Sequence, residues 1–321
     1  MPTTTIDSFT AVETFARDVR VGLSRAQKEI PSQYLYDDLG AALFDAITHL
    51  PEYGLTRADE RLLLGYAQDM LAAMERRPAI VAELGSGSGR KTRAILEAAA
   101  PVRYYPIDIS TAALRRCVRE MNEVAGVNAE GLALSYLDGL SAAVARRKNY
   151  EPLLLLFLGS TIGNFDRKGA EAFLAAIRSR LLPGDALLLG ADLIKPVDCM
   201  IEAYDDPTGV TAAFNRNVAG RLNRELGADF DLRLLRHEAR YNAVHRRIEM
   251  HLVSLAEQTV EIPAAGLRVM LREEETIWTE ASHKFAPGEI AAMAEATGFQ
   301  CAAEWVDDEW PFSESLLRVH G

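Results

Sequence analysis

The sequence has 321 residues, 49% of them apolar and 25% charged, with a formal net charge of −11. That is the balance of a soluble globular protein, long enough for one large domain or two modest ones. The acidic excess argues against nucleic acid or an anionic membrane as partner, and no apolar run approaches the roughly 18 residues that a membrane-spanning helix needs.

The N-terminus, MPTTTIDSFTAVE, has no basic region followed by an apolar core, so no secretion signal is expected. Cys117, Cys199 and Cys301 lie far apart and read as reduced thiols, which fits a cytoplasmic protein. Phe9, Val12, Phe15, Val19 and Leu23 make a helical stripe over 7–25. After Pro31, the run from Gln33 to Gly40 precedes a helix to about Leu50, and Pro51-Glu52-Tyr53-Gly54 reads as a turn or loop. Thr56 and Asp59 have the spacing of a capping box for a helix that ends near Arg77.

The stretch AIVAELGSGSGRKT, 79–92, then combines a short apolar strand, an acid at Glu83, glycines at 85, 87 and 89, and a helical pattern from Lys91. Such a turn lets a ligand approach the backbone closely. It is not a P-loop, because Arg90 stands where the glycine before the lysine is required. It is not the dinucleotide fingerprint either: counting from Gly85 or from Gly87 puts Arg90 or Thr92 at the third glycine. The pattern acidic-x-Gly-x-Gly-x-Gly resembles the first motif of S-adenosylmethionine (SAM) dependent methyltransferases with a Rossmann-like fold. The simpler alternative is a glycine turn that only packs strand on helix.

Strands then alternate with helices. They are expected at 102–107, ending in Asp108; at 132–137, ending in Asp138; at 152–158, running into Gly159-Ser160-Thr161-Ile162-Gly163-Asn164-Phe165; and at 186–192. Ser110 can cap the helix after the second of these. The alternation predicts a doubly wound parallel sheet, with Glu83, Asp108, Asp138 and 159–164 at the strand ends where such sheets bind ligands. Beyond Asp192 a helix over 210–226 precedes strand-like runs at 233–243, 246–256 and 266–278, an α+β block with antiparallel strands. A helix from Pro287 to about Ala296 and a hairpin of 303–306 with 316–319 would complete a seven-stranded sheet. The expected division is therefore 1–194 with 286–321 as one domain and 195–285 as an inserted lobe.

Asp108 lies 23 residues beyond Gly85, where a carboxylate suits two ribose hydroxyls; capping the next helix is its structural alternative. Asp138-Gly139 could accept from an adenine amino group or be an ordinary turn. The Asn164 amide, donor and acceptor at once, could hold an amino-acid headgroup or merely stabilise its own turn. The six histidines show no H-E-x-x-H and no pairing with cysteine, so no metal site is expected; His245 and His251 read as strand-surface positions. Arg115-Arg116 and Arg246-Arg247 read as solvated faces, and Trp278, Trp305 and Trp310 as packing anchors.

Several stretches together resemble the histidine Nα-methyltransferase family of ergothioneine biosynthesis: YLYDDLGAALFDAITHLPEY (34–53), ELGSGSGRKTR (83–93), FLGSTIGNF (157–165), YDDPTGVTAAFNRN (204–217), RRIEMHL (246–252) and TEASHKF (279–285). The resemblance implies an α/β fold: a Rossmann-like SAM-dependent methyltransferase sheet with an inserted α+β substrate-binding lobe. It implies trimethylation of the α-amino group of L-histidine to hercynine, with SAM as methyl donor, a small-molecule substrate, and no nucleic-acid or membrane partner; a monomer is compatible with all of it. Tyr36, Gly85, Gly87, Lys91, Asp108, Asp138, Gly139 and Gly159 would line the cofactor site. Tyr53, Asn164 and Tyr204 would hold and orient the histidine amino and carboxylate groups, Glu280 and Ser282 would bond the imidazole, and Phe214 and Met250 would form an apolar wall. The chain departs from the family pattern at Gly54, where a second aromatic often follows the tyrosine, at Gly139, where an aromatic can cover the adenine, and at His283, in place of a small residue. The rival readings are the same chemistry on another amino acid, such as tryptophan, and a SAM-binding regulator without turnover.

Overall fold

The computed structural model describes residues 11–319; Phe9, the N-terminal signal reading and His320 lie outside the described residues. The chain divides into two compact units, one made of Tyr53–Pro196 with the residues from Ser282 onward, the other of the residues up to Glu52 with Val197–Ala281. Residues 11–52, expected with the sheet-forming half, group instead with the inserted block.

The first unit holds a seven-stranded sheet in the order Phe299–Val306, Phe312–Val319, Ala186–Asp192, Leu153–Phe157, Ile80–Leu84, Val102–Ile107, Val127–Ala129. The last five strands pair in parallel, and the C-terminal hairpin adds the two antiparallel ones, as expected. The Leu153–Phe157 strand, LLLLF, is buried at every position, which a parallel strand covered on both faces requires. One strand is misplaced by the sequence pattern. Val127–Ala129 pairs beside Val102–Ile107, whereas 136–145 is a helix capped by Ser135. The apolar run Leu132–Leu137 mimics a strand because short apolar runs do not distinguish strand from buried helix. The Thr56–Asp59 capping box is likewise absent. The helix runs Gly54–Ala72, and both side chains lie buried inside it, with no side-chain cap.

The second unit contains a four-stranded sheet in the order Lys28–Glu29, Thr276–His283, Arg247–Ser254, Leu235–Asn242. A separate antiparallel pair joins Gln258–Ile262 to Leu267–Leu271. The predicted strand 266–278 is therefore two strands, parted by a turn in which Glu274 takes a left-handed φ of 63°. Its long helix, Val210–Leu226, ends as the sequence indicates, with Gly227 left-handed at φ 67° and its N–H bonded to Leu222 O. The first helix is Ala11–Leu23, burying Phe15, Val19 and Leu23 of the predicted stripe.

Candidate active site

The glycine turn is built as a backbone cradle. Gly85, Gly87 and Gly89 have φ of 73°, 52° and 73°, values that side-chain-bearing residues rarely adopt. At Gly89 a Cβ would stand 2.6 Å from Cys117 Sγ, whereas at Gly87 it would meet nothing within 4 Å, so the turn packs inward at one glycine and opens at the other. Glu83 does not face a ligand. It lies within the strand, buried, accepting from Thr92 Oγ1 at 2.7 Å and from the Tyr104 hydroxyl. Burial pushes its carboxyl up to about 7 against those two donors. The acid of the motif thus ties strand to helix.

Asp108 joins the second strand end to the glycine turn: Oδ2 accepts from Gly87 N at 3.1 Å and Oδ1 from Ser110 N at 2.9 Å. Ser110, not Asp108, caps the following helix, accepting from Ala113 N. Each Asp108 oxygen keeps lone-pair capacity for hydroxyl donors. Asp138 and Gly139 sit not after a strand but in the first turn of the helix Tyr136–Ala145, where Ser135 Oγ donates to Asp138 Oδ2 at 2.6 Å. Asp138 is exposed, and Gly139 is buried so tightly that a Cβ would fall 2.3 Å from Ile107 Cγ2. No aromatic side chain can stand there. Lys91 pairs with the buried Asp59, and Gly159 N donates to the same Asp59 Oδ2 at 3.0 Å. This cradle of open glycine backbone, acceptor-bearing Asp108 and cationic Lys91 fits a ligand with ribose hydroxyls and a carboxylate, as SAM has.

The strand-end loop continues through Ser160, left-handed at φ 58°, into a single 3-10 turn that leaves Asn164 exposed. Ser160 Oγ accepts from Asp192 N at 2.9 Å. His283 Nδ1 donates to Gly163 O at 2.8 Å, which fixes the Nδ1–H tautomer and braces the residue before Asn164. The departure at Gly54 is filled from elsewhere: a Cβ there would fall 2.2 Å from Trp310 Cε3. Tyr53 precedes it, buried, as the N-cap of its helix. Trp310 donates Nε1–H to Asp192 Oδ1 at 3.1 Å. Burial pushes the Asp192 carboxyl up, but the Lys284 and Lys195 ammoniums outweigh it and hold it below the usual carboxylate range.

In the other unit the structure gathers Tyr36, Phe44, Phe214 and Glu280. The Tyr36 ring stands 5.3 Å from Phe214 and 5.4 Å from Phe44, edge-on to both, and its hydroxyl donates to Glu280 Oε1 at 3.3 Å. Tyr36, assigned by resemblance to the cofactor, is thus placed with the Glu280 carboxylate. Glu280 and Ser282 share one face of the strand Thr276–His283, as the alternation indicates. Ser282 Oγ accepts from the buried Lys284 at 2.9 Å. Glu280 is buried at 8% exposure, and Lys284 pairs with Asp192. Phe214 and Met250 are each buried at 1% exposure.

Tyr204 is held by residues that sequence reasoning passed over. Asn215, fully buried, donates Nδ2 to His237 Nδ1 at 2.8 Å and to His251 O at 3.0 Å, and its Oδ1 accepts from Thr279 Oγ1 at 2.6 Å. With Nδ1 accepting, His237 carries its proton on Nε2 and donates it to Tyr204 O at 2.8 Å. Burial pushes the His237 pKa below its usual value, so the ring stays neutral near pH 7. The signal was present in FNRN, which supplies Asn215, but nothing in the sequence links it to a histidine 22 positions on. Two surface readings also fail. His251 is buried against Glu249 Oε2 at 3.2 Å, and Arg247 lies over the Trp278 ring at 4.5 Å while pairing with Glu249. Arg115 and Arg116 are exposed, as read.

Residues 15–319 match the family described as histidine-specific, SAM-dependent methyltransferases. The chain is 39% identical over 313 residues to a histidine N-alpha-methyltransferase of Mycolicibacterium smegmatis, covering 95% of each sequence. It is 30% identical to ergothioneine biosynthesis protein 1 of Neurospora crassa, over 79% of this chain and 31% of that protein. It is 26% identical to an L-tryptophan methyltransferase of Psilocybe serbica, over 91% of this chain and 89% of that one.

Proposed function

We propose that this chain, which belongs to the histidine-specific, SAM-dependent methyltransferase family, transfers three methyl groups in succession to the α-nitrogen of L-histidine, giving hercynine for ergothioneine synthesis. Family membership makes it a SAM-dependent histidine methyltransferase; the count of methyls and the residue roles are our reading. The observation that carries the choice of histidine is the buried polar pair on one strand face, Glu280 and Ser282, with Lys284 donating to the serine. A carboxylate accepts the imidazole N–H and the serine hydroxyl donates to the bare nitrogen, a pairing that an indole, with one N–H and no acceptor nitrogen, cannot complete.

When bound, SAM supplies a methyl group already activated by its sulfonium charge. The chain's own task is then alignment. Methyl transfer is an in-line displacement that needs a neutral amine with its lone pair aimed at the methyl carbon about 3–3.5 Å away. An α-amino group with a pKa near about 8 to 9 loses its proton at little cost, so no strong base is demanded. Asn164, Tyr53 and Tyr204 take the amino and carboxylate groups in this reading. Bracing of Gly163, next to Asn164, by His283 and of the Tyr204 backbone by His237 supports it, because orientation is worth most where the holding groups are themselves held. Asp108 takes the ribose hydroxyls, Gly85, Gly87 and Gly159 leave room for the methionine part, and Lys91 faces its carboxylate; Asp138 and Gly139 border the adenine.

The test is to incubate the protein with SAM and a mixture of the twenty amino acids and follow their masses. Gains of one, two and then three methyls on histidine alone are expected. A product that stops at one methyl, or methyl on tryptophan instead, would refute the proposal, and SAM binding without any transfer would favour a regulator.

A further inference from the structure

We propose that Glu314 and Asp59 share a single proton and that this pair positions Lys91 and Gly159 for the cofactor. The inference rests on reading Lys91 and Gly159 as cofactor contacts. Glu314 lies in the strand Phe312–Val319, paired opposite Gly190, and Asp59 lies in the helix Gly54–Ala72. Both side chains are fully buried. Three of their four oxygens, both of Glu314 and Oδ1 of Asp59, find no donor, while Asp59 Oδ2 accepts from Lys91 Nζ and from Gly159 N. Buried acceptors without donors are expensive. One proton relieves most of the deficit: a neutral Glu314 carboxyl donates to Asp59 Oδ1, which leaves one oxygen of an uncharged carboxyl without a donor, and Asp59 keeps the charge that Lys91 needs. The cluster Glu314-H, Asp59 and Lys91 is then electrically neutral.

The same conclusion follows from charge. Two buried carboxylates in contact cannot both ionise. Burial, and next the contact with Asp59, push Glu314 well above the usual carboxylate range, Lys91 opposing. The remaining titratable neighbour is Glu83, which acts electrostatically on both Lys91 and Asp59. Space is tight as well. A Cβ on Gly190 would fall 2.7 Å from Glu314 Oε1, and one on Gly159 would fall 3.0 Å from Lys91 Nζ. Glu314 is thus a positioning residue. Through Asp59 it fixes the lysine of the glycine turn and the first residue of the strand-end loop relative to each other. Ionising Glu314 would place a second negative charge beside Asp59, draw Lys91 inward and loosen its hold on a ligand.

SAM affinity measured by calorimetry from about pH 6.5 to about pH 9.5 for wild type, Glu314→Gln and Glu314→Ala tests this. Glutamine keeps a neutral donor, so its affinity stays within about threefold of wild type near neutrality, while alanine loses about tenfold. As pH rises into the raised range of Glu314, the wild type weakens relative to Glu314→Gln by about tenfold as its extra carboxylate ionises, and titration of SAM itself cancels in that ratio. Stability follows the same sign. A carboxyl raised in the folded state contributes most below its unfolded pKa and loses that contribution as pH rises toward the folded value, so the wild-type Tm falls with pH more steeply than that of Glu314→Gln. A wild-type to glutamine affinity ratio that is flat across the range, with a wild-type Tm that falls with pH no more steeply than that of Glu314→Gln, overturns the shared proton, even if the alanine variant does not fold. Lys91→Met separates the premise. Unchanged SAM affinity there removes Lys91 from the cofactor site, whereas weakened affinity with a flat ratio and no steeper fall of Tm leaves the site standing and sinks only the proton pair.

Discussion

In the seven-stranded unit, charged side chains tie down the backbone and one another: Asp108 holds Gly87 N, Asp59 holds Gly159 N, and Lys284 and Lys195 converge on Asp192. In the four-stranded unit the working side chains are held by neutral groups, Asn215 to His237, His237 to Tyr204 and Thr279 to Asn215, with tyrosine and phenylalanine rings alongside. The difference matches the ligands each set of residues is read to serve. A cofactor used unchanged by many enzymes can be met by main-chain amides and a few carboxylates, whose geometry the fold supplies. A particular side chain must be met by side chains, and neutral partners fix their orientation without adding charges that a small zwitterion would feel.

Breaking the neutral network should have the largest effect. Asn215→Ala leaves His237 Nδ1 and the His251 carbonyl without their buried donor, at about 1–3 kcal/mol for each. We expect a loss of about 3 kcal/mol of stability in urea unfolding. A loss below about 1 kcal/mol would show that the network relaxes and does not hold Tyr204 firmly.

Asp108→Ala attacks the charged side of the comparison. The carboxylate holds the glycine turn and is read to hold the ribose, so SAM affinity should fall by roughly 1.5–3 kcal/mol, the scale of charge-assisted hydrogen bonds. Calorimetry with unchanged affinity would remove Asp108 from the cofactor site. Glu280→Ala sharpens the contrast from the other side. Histidine kcat/KM should drop by about 10- to 100-fold, with SAM affinity near wild type. The gap between histidine and tryptophan should narrow, because no unpaired carboxylate remains to penalise an indole. An unchanged histidine preference would sink the assignment of Glu280 to the imidazole.

The contrast also explains what the sequence made legible. Backbone sites leave glycines at fixed spacing and acids near strand ends, so the turn at 85–89, Asp108 and the 159–164 loop are readable from order alone. The parallel strands were readable for a related reason, since burial on both faces forces continuous apolar runs. The same rule misled at 132–137, where the run belongs to a loop and a capped helix. Side-chain networks leave no such trace. Asn215, His237 and Thr279 lie far apart in the chain and meet only because helix and strands stack, and Asp59 and Glu314 meet across 255 positions. Asp59 did carry a hint: it lies on the helix face of Leu55, Leu62 and Leu63, where an acid has no business without a partner. Residues 11–52 group with the inserted block, and nothing in their order in the sequence signals which unit they join.

The smallest expected effect decides where Tyr36 belongs, and so which set of residues it serves. Resemblance gives it to the cofactor, whereas the structure sets its hydroxyl 3.3 Å from Glu280 Oε1 and its ring against Phe214 and Phe44. The hydroxyl is one donor to a carboxylate that is also read to accept from the imidazole, so it restrains Glu280 and spreads its charge. At 3.3 Å the bond is long and only partly buried, and its loss should cost about 0.5–1 kcal/mol. Tyr36→Phe removes that oxygen and keeps the ring packing. Histidine kcat/KM should therefore fall by about two- to fivefold, and SAM affinity should not move. In Glu280→Ala the further change Tyr36→Phe should cost nothing more for histidine, because the acceptor is already gone; that non-additivity is the mark of a direct pair. If SAM affinity falls in Tyr36→Phe and the two changes add, the hydroxyl serves the cofactor and the bond to Glu280 is incidental.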